Sequence, residues 1–147
     1  MTKEEKIRKF GEVFTPPHIV EQMLDMLEAE NKDAFMPGTT FLEPTCGEGV
    51  FVCAILRRKF ENCTTDAERR LAIRSVWAME LQADNVEKTI QAVTELCEGV
   101  IRLTKNDREI IRGHVIQADA LKVMRMINEL NERETGRGFF DSASLLS

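Results

Sequence analysis

Residues 41–51 read Phe-Leu-Glu-Pro-Thr-Cys-Gly-Glu-Gly-Val-Phe, and this stretch decides the fold. A short apolar run ends in an acid, a Gly-x-Gly turn follows, and the next residues have the apolar spacing of a helix. Gly47 and Gly49 carry no Cβ, so the backbone turns sharply there and a ligand can approach it closely. The start of a helix adds unpaired N–H donors. The stretch therefore predicts a strand, a ligand-binding turn and a helix.

The same alternation of strands and helices continues on both sides of this turn. A helix is expected after Thr15, with Thr15 as its N-cap and Pro16 at its first position. Strands are expected at residues 39–43, 75–80 and 113–118, and further helices at residues 48–60, 65–73, 86–96, 106–111 and 121–130. Residues 65–68, Thr-Asp-Ala-Glu, are expected to cap the helix at 65–73. Alternation of this kind implies right-handed parallel crossovers and an α/β sheet.

Each predicted strand ends at an acidic residue or directly before one, namely Glu43, Glu80 or Asp119. In open α/β sheets, ligands lie outside the carboxyl ends of the strands. A cofactor with an amino group, a ribose diol and an adenine amine offers one set of donors to each acid. The three acids therefore favour a nucleoside-type cofactor.

Two motifs carry a resemblance to a known family. Residues 43–51 resemble the Asp-Pro-x-Cys-Gly-x-Gly-x-Phe signature of adenine-specific DNA methyltransferases that use S-adenosylmethionine. Residues 10–17, Phe-Gly-Glu-Val-Phe-Thr-Pro-Pro, resemble the companion motif that precedes the first strand in those enzymes. The likeness covers residues 8–141. It implies a partial Rossmann-like methyltransferase fold, with a short parallel sheet in the order 3-2-1 and helices on both faces.

The resemblance also implies a role for each acid. Glu43 faces the amino group of the methionine part, and Glu80 accepts hydrogen bonds from both ribose hydroxyls, with Asp84 as a weaker candidate for that role. Asp119 accepts from the adenine amine, caps the next helix, or does both. The full cofactor site implied by the resemblance is Phe14, Thr15, Pro16, Glu43, Pro44, Cys46, Gly47, Gly49, Phe51, Glu80, Asp119 and Ala120. The alternative for the acids is an exposed carboxylate without a ligand.

The catalytic motif of the family is absent from the sequence. These enzymes methylate an adenine flipped out of the duplex, with Asn- or Asp-Pro-Pro followed by Tyr or Phe. The chain has four prolines and no tyrosine, and its Pro-Pro pair belongs to the upstream motif. We expect no catalytic residue and an incomplete domain. Its predicted parts are a helical segment at residues 1–37, a cofactor-binding half at 38–141 and an atypical tail at 142–147.

Composition limits the partners. The 147 residues suit one domain. A net charge of −5 gives no overall attraction for DNA phosphates, so DNA is expected as a partner only of a complete enzyme. The basic clusters at residues 57–59 and 69–70 fall near predicted helix ends, where the helix dipole favours them. The sequence lacks a long apolar run and a secretory signal, so we expect a cytoplasmic protein without a membrane span.

The remaining side-chain signals are structural. The four cysteines form no Cys-x-x-Cys pair and the two histidines complete no zinc pattern, so neither a metal site nor a disulfide is expected. Three of the thiols are expected in or near the core. We also predict that Trp77 belongs to the core.

Three functions remain open from the sequence. The first is the S-adenosylmethionine-binding portion of a restriction-modification type methyltransferase, inactive alone, which is either a truncated or frame-shifted enzyme or the first piece of a split one. The second is a non-catalytic remnant acting as an interaction module. The third, an NAD-type domain, is disfavoured by Val52 where a third glycine is usual. Without a fourth strand, residues 39–43 form an edge, and we expect it to pair with a second copy, to be covered by the tail at residues 139–146, or to bind the missing half.

Overall fold

The computed structural model describes Thr2, residues 15–44 and residues 46–135. Phe14, the rest of the upstream motif before it, Thr45 and residues 136–147 lie outside the described residues. The described helices are α1 (Pro17–Glu30), α2 (Val50–Glu61), α3 (Asp66–Ser75), α4 (Ala83–Glu98), α5 (Lys105–Gly113) and α6 (Ala120–Thr135). The described strands are β1 (Phe41–Glu43), β2 (Val76–Glu80) and β3 (Val115–Gln117). The prediction of an α/β structure with a small parallel sheet is confirmed.

The sheet has the order β1-β2-β3, and both pairs of neighbours are parallel. Glu43 of β1 lies opposite Ala78, and Glu80 of β2 lies opposite Gln117 at the end of β3. Because all three strands run the same way, their carboxyl ends lie at one edge of the sheet. In the described part of the chain, β1 is an outer strand that pairs with β2.

One face of the sheet forms the core. Val76 and Ala78 lie two residues apart, on the same face of β2, and both are buried, as is Val115 of β3. Helices α2 and α4 pack against this side, and their apolar residues join the same cluster. All four cysteines are free thiols and are buried, so burial extends to one more thiol than predicted.

The opposite face differs from the prediction. Leu42, Trp77 and Ile116 are 50%, 36% and 38% exposed, and no second helical layer covers them within residues 15–44 and 46–135. Successive side chains on a strand point to opposite faces, so Trp77 points away from the core that holds Val76 and Ala78. The prediction of a core tryptophan is therefore wrong. The indole instead stacks on the His114 ring, with centroids 3.6 Å apart.

Two helix starts test the capping predictions. Thr65 caps α3 as predicted, since its hydroxyl oxygen accepts the Glu68 N–H. Helix α1 begins one residue later than predicted, with Pro17 at its first position and Pro16 as N-cap without a side-chain cap bond. The physical reason is Pro17 itself, because a residue that precedes proline is driven to extended backbone. Pro16 accordingly has φ −61° and ψ 146°.

Two basic residues near the end of α2 do more than offset the helix dipole. The Lys59 ammonium is buried and donates to the carbonyl oxygens of Met36, Pro37 and Thr39, on the segment that enters β1. The Arg58 guanidinium pairs with three carboxylates of α1, those of Glu21, Asp25 and Glu28. Both side chains fix the elements that precede the glycine turn onto the helix that follows it.

Candidate functional site

The predicted acids lie at the carboxyl edge of the sheet. Glu43 is the last residue of β1 and Glu80 is the last residue of β2. Asp119 follows two residues after the end of β3. In parallel α/β sheets this edge is where ligands bind.

The glycine turn has the backbone that its sequence predicted. Gly47 has φ 54° and Gly49 has φ 94°, in the left-handed region that side chains with a Cβ rarely adopt. The Gly49 N–H donates to the Cys46 carbonyl oxygen at 2.8 Å, which closes the turn. Gly49 is also the N-cap residue of α2, so the turn leads directly into the first turn of that helix.

Glu80 connects β2 to this turn. Its side chain is 7% exposed, and its Oε2 accepts the Gly47 N–H at 2.8 Å while its Oε1 accepts the Gln82 N–H at 3.2 Å. Each carboxylate oxygen has two lone pairs, so both atoms retain capacity for a further donor. The Cys46 N–H donates to the Met79 carbonyl oxygen at 2.9 Å. The end of β2 and the turn therefore form one hydrogen-bonded unit.

Thr89 of α4 contacts the turn and was missed by the sequence analysis. The fully buried hydroxyl donates to the Gly47 carbonyl oxygen at 3.0 Å and lies 3.5 Å from the Cys46 Sγ. Burial raises the pKa of Cys46 to about 11, so its thiol is protonated at neutral pH. A signal did exist, because Thr89 is a polar residue on the stripe that contains Val86 and Val93.

Asp119 caps α6. Its Oδ1 accepts the N–H groups of Leu121 at 3.1 Å and Lys122 at 3.4 Å. The Ala118 N–H donates to the Glu80 carbonyl oxygen at 3.1 Å, which fixes the segment before Asp119 to the end of β2. Capping was one of the two roles left open by the sequence, and contact with an adenine amine stays a prediction.

The other predicted site residues lie outside the hydrogen-bonded unit formed by the end of β2 and the glycine turn. Pro44 follows Glu43 and is half-buried, Phe51 packs against the core from the first turn of α2, and Ala120 is buried at the start of α6. Thr15 and Pro16 precede α1, which packs against α2. The structure thus brings the turn and Glu80 into direct contact and connects Thr15 and Pro16 to the turn through the packing of two helices.

Two clefts of about 390 Å³ and 410 Å³ have linings that include none of the residues of the glycine turn. The first is lined by the Arg58 guanidinium and the three α1 carboxylates that it pairs with, and the second by charged side chains of α4 together with Arg112. Because most of these charges already form ion pairs, we do not place the ligand there.

Within the described residues, no group of three or more His, Cys, Asp or Glu side chains is arranged to hold a metal ion. Every helix in the same residues falls short of the length and apolar character of a membrane span.

No protein-family model matches the chain, and neither curated proteins nor solved structures gave a match. The two sequence motifs and the geometry of the glycine turn therefore carry the information on function, and the geometry does not depend on the resemblance.

Proposed function

We propose that the chain is the S-adenosylmethionine-binding portion of a site-specific DNA adenine methyltransferase of restriction-modification type. In this proposal the sheet belongs to a Rossmann-like methyltransferase fold with strands in the order 3-2-1, and the protein is cytoplasmic. The observation that supports it most is the contact between Glu80 and the glycine turn. The acid that the resemblance assigns to the ribose lies beside the turn that it assigns to the cofactor.

The charges of the turn and its neighbours suit this cofactor. S-Adenosylmethionine carries a sulfonium and an ammonium, both positive, and Glu43 and Glu80 end adjacent strands at this edge. The buried Cys46 thiol is neutral, so the negative charge comes from the carboxylates. The first-turn N–H groups of α2 suit the cofactor's own carboxylate, because helix N-termini favour anions. Glu80 accepts from the ribose hydroxyls through its remaining lone pairs.

The cofactor assignment is tested by titrating the purified chain separately with S-adenosylmethionine, its demethylated product and NAD in a calorimeter. We expect the first two to bind with at best micromolar affinity. NAD is expected not to bind. Absence of heat with S-adenosylmethionine at millimolar concentration contradicts the proposal, and preferential NAD binding supports the dehydrogenase-type alternative.

The proposal also states what the chain does not do alone. The sequence has no Asn- or Asp-Pro-Pro-aromatic motif to accept the adenine amine, and its net charge is −5. Labelled cofactor incubated with adenine-rich duplex and single-stranded DNA should therefore give no label in adenine. A polypeptide that carries the missing motif should restore transfer if it is the complementary half. Incorporation by the chain alone contradicts this part of the proposal.

A second candidate function, a non-catalytic interaction module, is favoured by the exposed sheet face. Leu42, Trp77 and Ile116 present apolar side chains there, and parallel sheets are normally covered on both faces. The two candidates differ in one measurement, since an interaction module without the cofactor role would not bind S-adenosylmethionine.

A further inference from the structure

Both polar groups of the Gly47 backbone are fixed by side chains from other elements. Its N–H donates to Glu80 at the end of β2, and its carbonyl oxygen accepts from the Thr89 hydroxyl in the middle of α4. Gly47 has a positive φ of 54°, and because glycine populates positive and negative φ about equally, its own backbone preference does not select this conformation. The conformation of the turn therefore depends on two side chains that lie 33 and 42 residues further along the chain.

We propose that Thr89 is a positioning residue of the cofactor site, which holds the glycine turn in its binding conformation from helix α4. This inference rests on the proposed function. Thr89 acts through the turn and is not assigned any contact with the cofactor. Its role is to present the backbone of residues 47–49 and the start of α2 in one fixed arrangement.

The hydrogen-bond directions at Thr89 follow from the chemistry of its neighbours. A hydroxyl has one hydrogen, and the Gly47 carbonyl oxygen at 3.0 Å is an acceptor that cannot donate. The Thr89 oxygen therefore accepts a hydrogen bond from the Cys46 thiol, whose Sγ lies 3.5 Å away. Burial raises the pKa of this thiol and so keeps the proton on the sulfur. Thiol, hydroxyl and carbonyl form a chain of two hydrogen bonds across the turn, and both Cys46 and Thr89 are buried.

The carbon atoms of Thr89 fix the turn from the same side. A Cβ placed on Gly49 would lie 3.1 Å from the Thr89 Cγ2 and 3.3 Å from its Cα. Both distances are tighter than nine in ten real Cβ contacts, so Thr89 would have to shift by a few tenths of an ångström to admit a side chain at position 49. Glycine at position 49 thus lets the turn lie directly on α4, where the hydroxyl reaches Gly47.

Helix α4 reaches the site at two points. Its N-cap residue, Gln82, donates its N–H to Glu80, and Thr89 contacts the turn near the middle of the helix. Glu80 and Thr89 hold opposite polar groups of Gly47, so displacement of α4 would disturb both. This arrangement couples the order of the turn to the packing of α4 in the core.

The test compares three substitutions on α4. Thr89→Val keeps the branched shape beside Gly49 and removes the hydroxyl, whereas Thr89→Ser keeps the hydroxyl and removes the methyl group. Thr94→Val is the matched control, because the Thr94 hydroxyl also donates to a carbonyl oxygen, that of Ile90 at 2.7 Å, and has no contact with the turn among its described bonds. Affinity for S-adenosylmethionine, denaturant unfolding and amide hydrogen exchange at Gly47 are measured for each.

We expect Thr89→Val to weaken S-adenosylmethionine binding about tenfold and to accelerate exchange at the Gly47 amide by a similar factor, as the loss of a buried hydrogen bond implies. Thr89→Ser should stay within about threefold of the wild type in both, and Thr94→Val should change only unfolding. If Thr89→Val and Thr94→Val give the same affinity and the same Gly47 exchange, the positioning role is wrong. If the wild type binds no S-adenosylmethionine, the proposed function fails, and exchange at Gly47 still decides the role of Thr89.

Discussion

The backbone N of Gly47 and the Oε2 of Glu80 lie 2.8 Å apart, so the acid at the end of β2 supports the turn that follows β1. A residue that the sequence assigns to ligand binding is thus also part of the local structure. Substitutions of Glu80 must therefore be judged on ligand affinity and on the order of the turn together.

The first prediction separates these two roles. Glu80→Ala should weaken S-adenosylmethionine binding by ~1.5–3 kcal/mol, the contribution of hydrogen bonds to a charged acceptor. Glu80→Gln should weaken S-adenosylmethionine binding less than Glu80→Ala does, because its amide oxygen still accepts the Gly47 N–H. Calorimetric titration measures both, and Glu87→Ala, an exposed acid of α4, is the control. Equal affinity in wild type and Glu80→Ala would contradict the assignment of Glu80 to the cofactor.

The second prediction concerns the buried ammonium of Lys59. Lys59→Met removes the donors that satisfy the carbonyl oxygens of Met36, Pro37 and Thr39, and should lower the free energy of unfolding at pH 7 by about 2 kcal/mol. Denaturant unfolding monitored by circular dichroism gives this difference. Arg57→Met, at the preceding and exposed position of α2, should stay within about 0.5 kcal/mol of the wild type.

Lys59 also predicts a pH dependence of definite sign. Burial lowers the pKa of Lys59 from 10.5 to about 8. Between these values the unfolded chain holds the proton and the folded chain does not, so the Lys59 contribution to stability rises with pH. The difference in unfolding free energy between wild type and Lys59→Met should therefore grow from about pH 7 to about pH 9.5. A difference that shrinks over this range would contradict the lowered pKa.

The site shows which information is local in the sequence. The glycine turn, the acids at the strand ends and the Thr65 cap each depend on residues close in the chain, and all three were predicted. The partners of Thr89 and Lys59 were not predicted, and Lys59 was expected only to interact with the helix dipole. A polar residue on a buried stripe shows that a partner exists without showing which one. Gly47 is 42 residues from Thr89, and no period or motif connects them.

For Trp77 the strand was predicted correctly, but the face of the strand that is buried was not. Its size and its place in an apolar strand predicted burial, and the burial of Val76 and Ala78 agrees with such a strand. Which of two alternating faces is covered depends on the layers packed outside the sheet, and these are not encoded in the strand itself. The error therefore arises from tertiary packing and not from the secondary-structure prediction, which placed β2 within one residue of its observed start.

The third prediction concerns acid stability and Asp107. Burial opposes ionisation of Asp107, but the Thr104 hydrogen bonds and the Arg70 guanidinium outweigh it and lower the pKa below 3.8. The stabilisation is complete above pH 3.8 and is lost as the pH falls through the folded pKa, because the unfolded chain takes up the proton first.

Asp107→Asn should remove this acid-dependent contribution. We expect the variant to be less stable by about 1–2 kcal/mol at neutral pH, and the difference from the wild type to narrow below pH ~4. Urea unfolding at several pH values measures it. Asp66→Asn, which removes an exposed first-turn acid of α3, is the control. A difference that is constant down to about pH 2.5 would contradict the lowered pKa of Asp107.

The last prediction concerns association through β1. This strand is outermost in the described sheet, and Leu42 on it is half exposed beside Trp77. Exposed strand edges pair with other chains, and a charged side chain on the edge suppresses that pairing. We expect the chain to self-associate with increasing concentration, and Leu42→Lys to shift it toward monomer, whereas Met26→Lys, at an exposed position of α1, should leave association unchanged. Size-exclusion chromatography with light scattering measures the mass, and hydrogen exchange reports the β1 amides. A monomer at all concentrations with β1 amides protected would show that the edge is already covered and that neither a second copy nor a complementary half pairs there.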